Sequence, residues 1–237
     1  MQADSNPTNE NLKFEAIVFD AFGTLFDLDS FSSVANRIHK GKGRTISQTM
    51  REKQIEFALM RDIIGKYENF EILTRNAIEF ALKKAGIRRT DVAVETLYEK
   101  FLSLKPFKDV SPFLNDLDGK NIRVAILSNG TQAMLDKLVE RAGLSLLSED
   151  VISVDGAKVY KPRAKAYRHG LDELEIFEKD KILYVSGNTW DVAGAKAFGF
   201  KVAWINRTKQ PLFDEGYYEF RPDFEISRLD QLSKLFG

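Results

Sequence analysis

Short runs of apolar, mostly β-branched residues recur along the chain, and between them apolar positions return every three or four residues. The runs are Phe14–Asp20, Ile122–Ser128, Val151–Val154, Ile182–Ser186, Lys201–Ile205 and Phe224–Ile226. Runs this apolar predict strands buried on both faces. Ser111-Pro112 predicts a helix N-cap with proline at the first helical position, and Gly119 closes that short helix. Thr131 caps a second helix that Gly143 ends, and Gly199 ends another over Asp191–Phe198. Alternation of strand and helix predicts an α/β fold with a largely parallel sheet.

Residues 30–105 break the alternation and read as helices only. Ile46, Met50, Ile55, Leu59 and Ile63 keep helical spacing, as do Phe70, Leu73, Ala77 and Phe80, ending near Gly86. Leu97, Phe101 and Leu104 form a third stripe, stopped before Pro106. The expected division is a core domain of 14–29 and 106–237, with a helical cap domain, 30–105, inserted after the first strand. The stripes are read as mostly core of that cap. Residues 1–13 are polar and lack an apolar secretory segment, which predicts a disordered tail.

Composition narrows the partners. Lys and Arg together number 35, as do Asp and Glu, so overall charge argues against nucleic acid. The basic residues around Arg37–Arg44 read as a solvated loop. No apolar run approaches the ~18 residues of a membrane span. Cysteine is absent, which removes disulfides, thiolate nucleophiles and cysteine-ligated metals and suits a cytoplasmic protein. The only histidines, His39 and His169, have polar neighbours and read as solvated rather than catalytic.

In open parallel sheets, sites form beyond the carboxyl ends of the strands. Four strand ends or following loops are polar here: Asp20 with Thr24; Ser128 with Asn129 in "ILSNGT"; Lys161 with Tyr167 after "VYKP"; and Ser186, Asn188, Trp190 and Asp191 in "SGNTWD". Each has a plain structural reading. Asp20 can cap a turn, "SNG" is a common turn, Lys161 can be a loop lysine, and Ser186, Asn188 and Asp191 can cap the next helix. Their joint occurrence at successive strand ends favours chemistry.

These segments resemble the four motifs of the haloacid dehalogenase superfamily. "FDAFGTLFD", "SGNTWD" and "FGFKVAWINRT" are similar to its L-2-haloacid dehalogenase branch, as are "MREKQIEF" and "KYENF" in the helical insertion. The resemblance implies a Rossmann-like core with a cap, and a hydrolase acting on carbon–halide bonds. It implies Asp20 as nucleophile, and Arg51 taking the departing halide beside Asn129 and Trp190. Ser128 and nearby backbone N–H groups would hold the substrate carboxylate. Lys161 would neutralise Asp20, and Ser186, Asn188 and Asp191 would position and activate water. Thr24 and Tyr167 would support the site, and Phe22, Ile55 and Phe70 would form apolar walls. Glu52 follows Arg51, but a turn of about 100° per residue points it elsewhere.

Many phosphatases of the superfamily have a second Asp where this chain has Phe22. That acid protonates an alkoxide leaving group. A halide needs no proton, and Phe22 can pack against an alkyl group instead. The same acid contributes backbone to a magnesium site, and Asn188 is neutral where a metal ligand would stand, so no metal and no cofactor are expected. The resulting expectation is metal-independent hydrolysis of an L-2-haloalkanoic acid to a D-2-hydroxy acid, with water as co-substrate, no nucleic acid, no membrane, and a homodimer by analogy. The rivals are a phosphatase of the same superfamily, against which the missing acid argues, and a non-catalytic binder of small carboxylates on the same fold.

Overall fold

Ile17, Val18 and Phe19 are apolar without a break, and β1 (Ala16–Phe19) forms where both its faces are covered. Burying a side chain such as Phe19 completely is worth roughly 1.5–3 kcal/mol. The chain then turns at residues 21–26 into β2 (Phe26–Asp27), which pairs antiparallel with β3 (Lys105–Pro106). Between these two short strands lie α1 (Leu28–Ile38), α2 (Gly43–Ile63), α3 (Phe70–Lys84) and α4 (Asp91–Phe101). Side-chain caps start three of them: Asp27 accepts from the Asp29 N–H, Asn69 from Ile72 and Thr90 from Ala93.

After β3 the alternation resumes with α5 (Val110–Leu117), β4 (Arg123–Ser128), α6 (Gln132–Ala142), β5 (Val151–Ser153), α7 (Ala164–Glu173), β6 (Ile182–Ser186), α8 (Thr189–Phe198), β7 (Lys201–Ile205) and β8 (Phe224–Ile226). The six longer strands make one sheet in the order β5-β4-β1-β6-β7-β8, and every pairing is parallel. β1 sits between β4 and β6, with Ala16 opposite Arg123 on one side and Ile182 on the other. Chain order reverses there, so Asp20 emerges at the crevice where such sheets bind ligands. The computed structural model describes residues 14–147, 149–212 and 219–236; the expected tail, 1–13, lies outside the described residues. Among the described residues no helix is long and apolar enough to cross a membrane.

Several sequence expectations need correction. α5 begins at Val110 with Asp109 at its N-cap, so Ser111 and Pro112 lie inside its first turn. Proline is tolerated there because the first N–H groups of a helix have no internal partner. The basic run is not one loop, since Arg37 lies in α1 and Arg44 in α2. His169 is not simply solvated: it is partly buried, with Nε2 3.2 Å from the Ser153 carbonyl oxygen. His39 Nε2 is buried without a partner among the described residues.

The stripes of the helical segment also divide. Ile46 and Met50 are buried, but Ile63 is 78% exposed, and Phe80 of α3 is 40% exposed beneath the Lys53 ammonium. Steps of four and five residues do not hold one face. At about 100° per residue, Ile55 lies about 180° around α2 from Ile46, and Ile63 about 100°. Ile46, Met50 and Gln54 pack within the helical segment, whereas Arg51, Ile55, Ala58 and Leu59 line the cavity at the sheet's carboxyl edge. Asp62, on the same side of α2, accepts from Arg163 Nε at 2.7 Å and from the Tyr160 N–H at 3.3 Å. Tyr67 donates to Asp155 Oδ1 at 2.5 Å, and the Tyr160 hydroxyl donates to the Glu68 carbonyl. These contacts tie the α2–α3 connection to the loop that carries Lys161.

Candidate active site

The residue after β1 is Asp20, 4% exposed, and its carboxylate is fully engaged. Oδ1 accepts from Lys161 Nζ at 2.8 Å; Oδ2 accepts from Thr24 Oγ1 at 2.9 Å and Asn188 Nδ2 at 2.8 Å. Thr24 reaches back because the turn folds tightly, with the Leu25 and Phe26 N–H groups both donating to the Ala21 carbonyl. The same Thr24 hydroxyl accepts from the Gly187 N–H at 2.8 Å. Gly187 has to be glycine for this approach: a Cβ there would meet the Gly23 carbonyl oxygen at 2.5 Å.

Lys161 is 1% exposed, and its ammonium lies among four oxygens: Asp20 Oδ1, Asp191 Oδ2 at 3.0 Å, the Tyr184 hydroxyl at 2.7 Å and the Leu127 carbonyl at 2.8 Å. Asn129 fixes the strap that carries it, accepting from the Lys161 N–H at 2.9 Å. Asp191 is fully buried and receives Tyr167 at 2.7 Å on Oδ1 and Tyr184 at 2.9 Å on Oδ2. Burial pushes the Asp191 pKa up; Lys161 and the Tyr167 hydroxyl act against that, while Asp20 adds to it. Burial and the nearby Asp191 carboxylate also hold both phenols well above their usual range, so they serve as donors.

Arg51 enters from α2. NH1 donates to Gln54 Oε1 at 2.9 Å, and NH2 to Asn188 Oδ1 at 3.2 Å and the Phe22 carbonyl at 3.5 Å. Desolvation lowers its pKa, and the Asp20 and Asp191 carboxylates raise it. Glu52 is exposed on another face of α2. Asp20, Lys161, Ser128, Asn129 and Arg51 form the polar part of a small cavity whose apolar walls are Phe22, Ile55, Ala58, Leu59, Phe70 and Trp190. Its volume of about 10 Å³ has room for about one water. Phe22 stacks on Phe101 at 5.1 Å and lies 5.9 Å from Phe70. The Trp190 indole N–H is buried without an acceptor among the described residues.

The expected residues therefore fall into two shells. Asp20, Phe22, Arg51, Ile55, Phe70, Ser128, Asn129, Lys161 and Trp190 line the cavity. Thr24 and Asn188 hold Asp20 from behind, Tyr167 and Asp191 back Lys161, and the Ser186 hydroxyl accepts from the Asn188 N–H at 3.1 Å. One expectation is not met as drawn. Asp191 does not line the cavity and shares no side-chain bond with Ser186 or Asn188 among the described residues. Its carboxylate is spent on Lys161 and two tyrosines, so its direct effect falls on Lys161.

The expected roll omits Ala58, Leu59 and Tyr184. Ala58 and Leu59 carry no chemical signal, and Tyr184 reads as one more apolar residue of a strand.

The residues do not fit a magnesium ion. The Asp20 carboxylate and the Phe22 carbonyl are oxygens such an ion would take, but Asn188 Nδ2 donates to both, at 2.8 and 2.9 Å. The Arg51 guanidinium lies beside them, and no group of three or more metal-binding side chains occurs among the described residues.

Residues 14–199 match the haloacid dehalogenase-like hydrolases. The chain is 39% identical over 225 residues to haloacetate dehalogenase H-2 of Moraxella sp. (strain B), covering 95% of this chain and 99% of that protein. It is 36% identical over 222 residues to the (S)-2-haloacid dehalogenase of Pseudomonas sp. (strain YL), covering 94% of each. Its fold is similar to the L-2-haloacid dehalogenase from Xanthobacter autotrophicus with chloropropionic acid covalently bound, with a TM-score of 0.85, 34% identity, and 94% of this chain and 98% of that one covered.

Proposed function

The chain belongs to the haloacid dehalogenase-like hydrolases, and from that premise we propose that it hydrolyses L-2-haloalkanoic acids to D-2-hydroxy acids with inversion at C2. The observation that carries this reading is a single carboxylate, Asp20, facing an apolar-walled cavity that contains a fixed guanidinium and no acid able to protonate a leaving group. Such a site suits an anion that leaves without a proton.

An Asp20 oxygen attacks C2 from behind the carbon–halogen bond, the halide departs with the bonding electrons, and an ester forms. Arg51, Asn129 and the Trp190 N–H, which has no acceptor among the described residues, are donors available to the halide. Ser128 and the backbone after β4 take the substrate carboxylate. Water then adds to the Asp20 carbonyl carbon, the bond from that carbon to the substrate oxygen breaks, and one proton is released overall. Lys161 offsets the charge of Asp20 and Asp191 throughout. The helical segment, α1–α4, acts as a cap that keeps bulk water away, which strengthens both the attack and the hold on halide.

The test is halide release from each enantiomer of 2-chloropropionate, with and without EDTA. Release from the L enantiomer, unchanged by EDTA, is expected because the amide of Asn188 occupies the oxygens a metal would need. Activity restored only by a divalent cation, or hydrolysis of p-nitrophenyl phosphate in place of haloacids, overturns the reading.

Arg51→Ala is expected to lower turnover on the order of 10²-fold or more, as loss of a charge-assisted contact that grows in the transition state does. Arg51→Lys should rescue poorly, since a hydrated point charge does not reproduce a planar fork of donors. Near-normal release by the Ala variant would remove Arg51 from the halide site.

A further inference from the structure

Two polar side chains of the helical segment, Gln54 and Thr74, have no exposed surface at all. Both lie where α2 packs on α3, among apolar neighbours, so each must satisfy its polar atoms internally. They do so in one chain of bonds. The Thr74 hydroxyl donates to the Phe70 carbonyl at 2.6 Å, Gln54 Nε2 donates to the Thr74 hydroxyl at 2.7 Å, and Gln54 Oε1 accepts from Arg51 NH1 at 2.9 Å.

The order of this chain is dictated at its far end. A hydroxyl has one proton, and Thr74 commits it to Phe70 one helical turn back. The oxygen can then only accept from Gln54, which turns the amide's NH₂ toward α3 and its carbonyl toward Arg51. On the opposite side Arg51 meets two more neutral acceptors, Asn188 Oδ1 and the Phe22 carbonyl. Among the described residues it has no carboxylate within ion-pairing distance. The guanidinium is thus aimed by neutral groups, and its charge stays available to an anion. We propose that Gln54 and Thr74 are positioning residues, a relay that sets Arg51 for the departing halide and couples it to Phe70, the cavity wall at the start of α3. The inference rests on the dehalogenase reading above.

A structural role makes a different prediction. Replacing a buried polar pair by apolar groups of like shape is often neutral or stabilising. The combination of Gln54→Met with Thr74→Val should therefore cost little stability. Each single variant strands one buried partner and should melt lower yet stay folded, which thermal denaturation checks. The relay predicts that each single variant lowers kcat on L-2-chloropropionate between about 10- and 100-fold, the loss that small misplacement of a reacting contact produces. KM should change little, and inhibition by added bromide should weaken in parallel. Thr74→Ser, which keeps the hydroxyl, should restore both kcat and bromide inhibition. Gln54→Glu places a carboxylate on Arg51 and should abolish bromide inhibition while the fold persists.

Folded Gln54→Met and Thr74→Val variants with wild-type kcat and bromide inhibition overturn the relay. So does failure of Thr74→Ser to rescue. Bromide binding followed by calorimetry separates this from the underlying reading. Should the wild type release no halide from any 2-haloacid, the dehalogenase reading fails, yet weaker bromide binding in the two variants would still support the relay. A wild type that neither turns over nor binds bromide overturns both.

Discussion

Asp20→Asn should lower halide release on the order of 10⁴-fold or more, because on the proposed route it removes the covalent nucleophile and closes the route itself. Asparagine keeps the shape of the side chain, so the loss reports chemistry more than folding. The variant still offers an oxygen to Lys161 or to Thr24 and Asn188, the groups that hold the native carboxylate. The competing route, in which a base activates water for direct attack on C2, gives the same inverted product. It is separated by a single turnover in H₂¹⁸O with enzyme in excess. On the ester route solvent oxygen enters Asp20, so the peptide containing it should gain about 2 Da while the hydroxy acid stays unlabelled. Label in the product, with none on that peptide, would leave Asp20 an orienting role.

Lys161→Met is expected to produce the next largest effect, on stability as well as rate. Among the described residues its ammonium is the one cation that pairs directly with both Asp20 and Asp191, and both carboxylates are buried. Removing one partner of a buried ion pair typically costs about 3–5 kcal/mol, readable by urea denaturation. Halide release should fall by at least about 10²–10³-fold, as when a fixed electrostatic contact at a reacting group is lost. The pH dependence has a definite sign. Burial already raises the Asp191 pKa, and the substitution removes the strongest influence opposing it. A raised folded-state pKa means the folded form holds its proton more tightly than the unfolded form. The deficit should therefore be small below the ordinary carboxylate value of about 4 and deepen as pH rises through the raised one. Lys161→Met combined with Asp191→Leu should regain stability without activity. A single variant as stable as the wild type at neutral pH would show that the two acids do not need this counter-charge.

The strands were legible in the sequence because a strand covered on both faces has to be apolar throughout, as residues 182–185 are. The polar strand ends were legible for the converse reason: Asp20, Ser128 and Ser186 interrupt runs that otherwise tolerate no polarity. α2 was misread because it has two buried sides. Residues serving different neighbours merged into one stripe, and only the packing tells Ile46 from Ile55. β2 and β3 are two residues each, too short for any periodicity to show. Tyr184 was missed because a tyrosine inside a strand looks like core, and its hydroxyl matters only once Lys161 and Asp191 are folded against it. Gln54 and Thr74 were missed because polar residues on an amphipathic helix ordinarily face water. The role given to Asp191 shows a further limit. Sequence placed it near the site, but the direction of its carboxylate depended on two tyrosines from α7 and β6.

The two sides of α2 also make it an unusual point of attack for protein engineering. Residues that anchor the helix to its neighbours, Ile46 and Met50, and those that shape the cavity, Ile55, Ala58 and Leu59, are different residues. Residues 55, 58 and 59 share one cavity, so their substitutions couple to one another and have to be varied together. A combinatorial library confined to 55, 58 and 59 can therefore vary the room offered at C2 of the substrate while the anchoring residues remain untouched. Selection on longer or branched haloacids would then act on shape alone, leaving Asp20, Lys161 and Arg51, the proposed reaction centre, constant beneath an exchangeable ceiling.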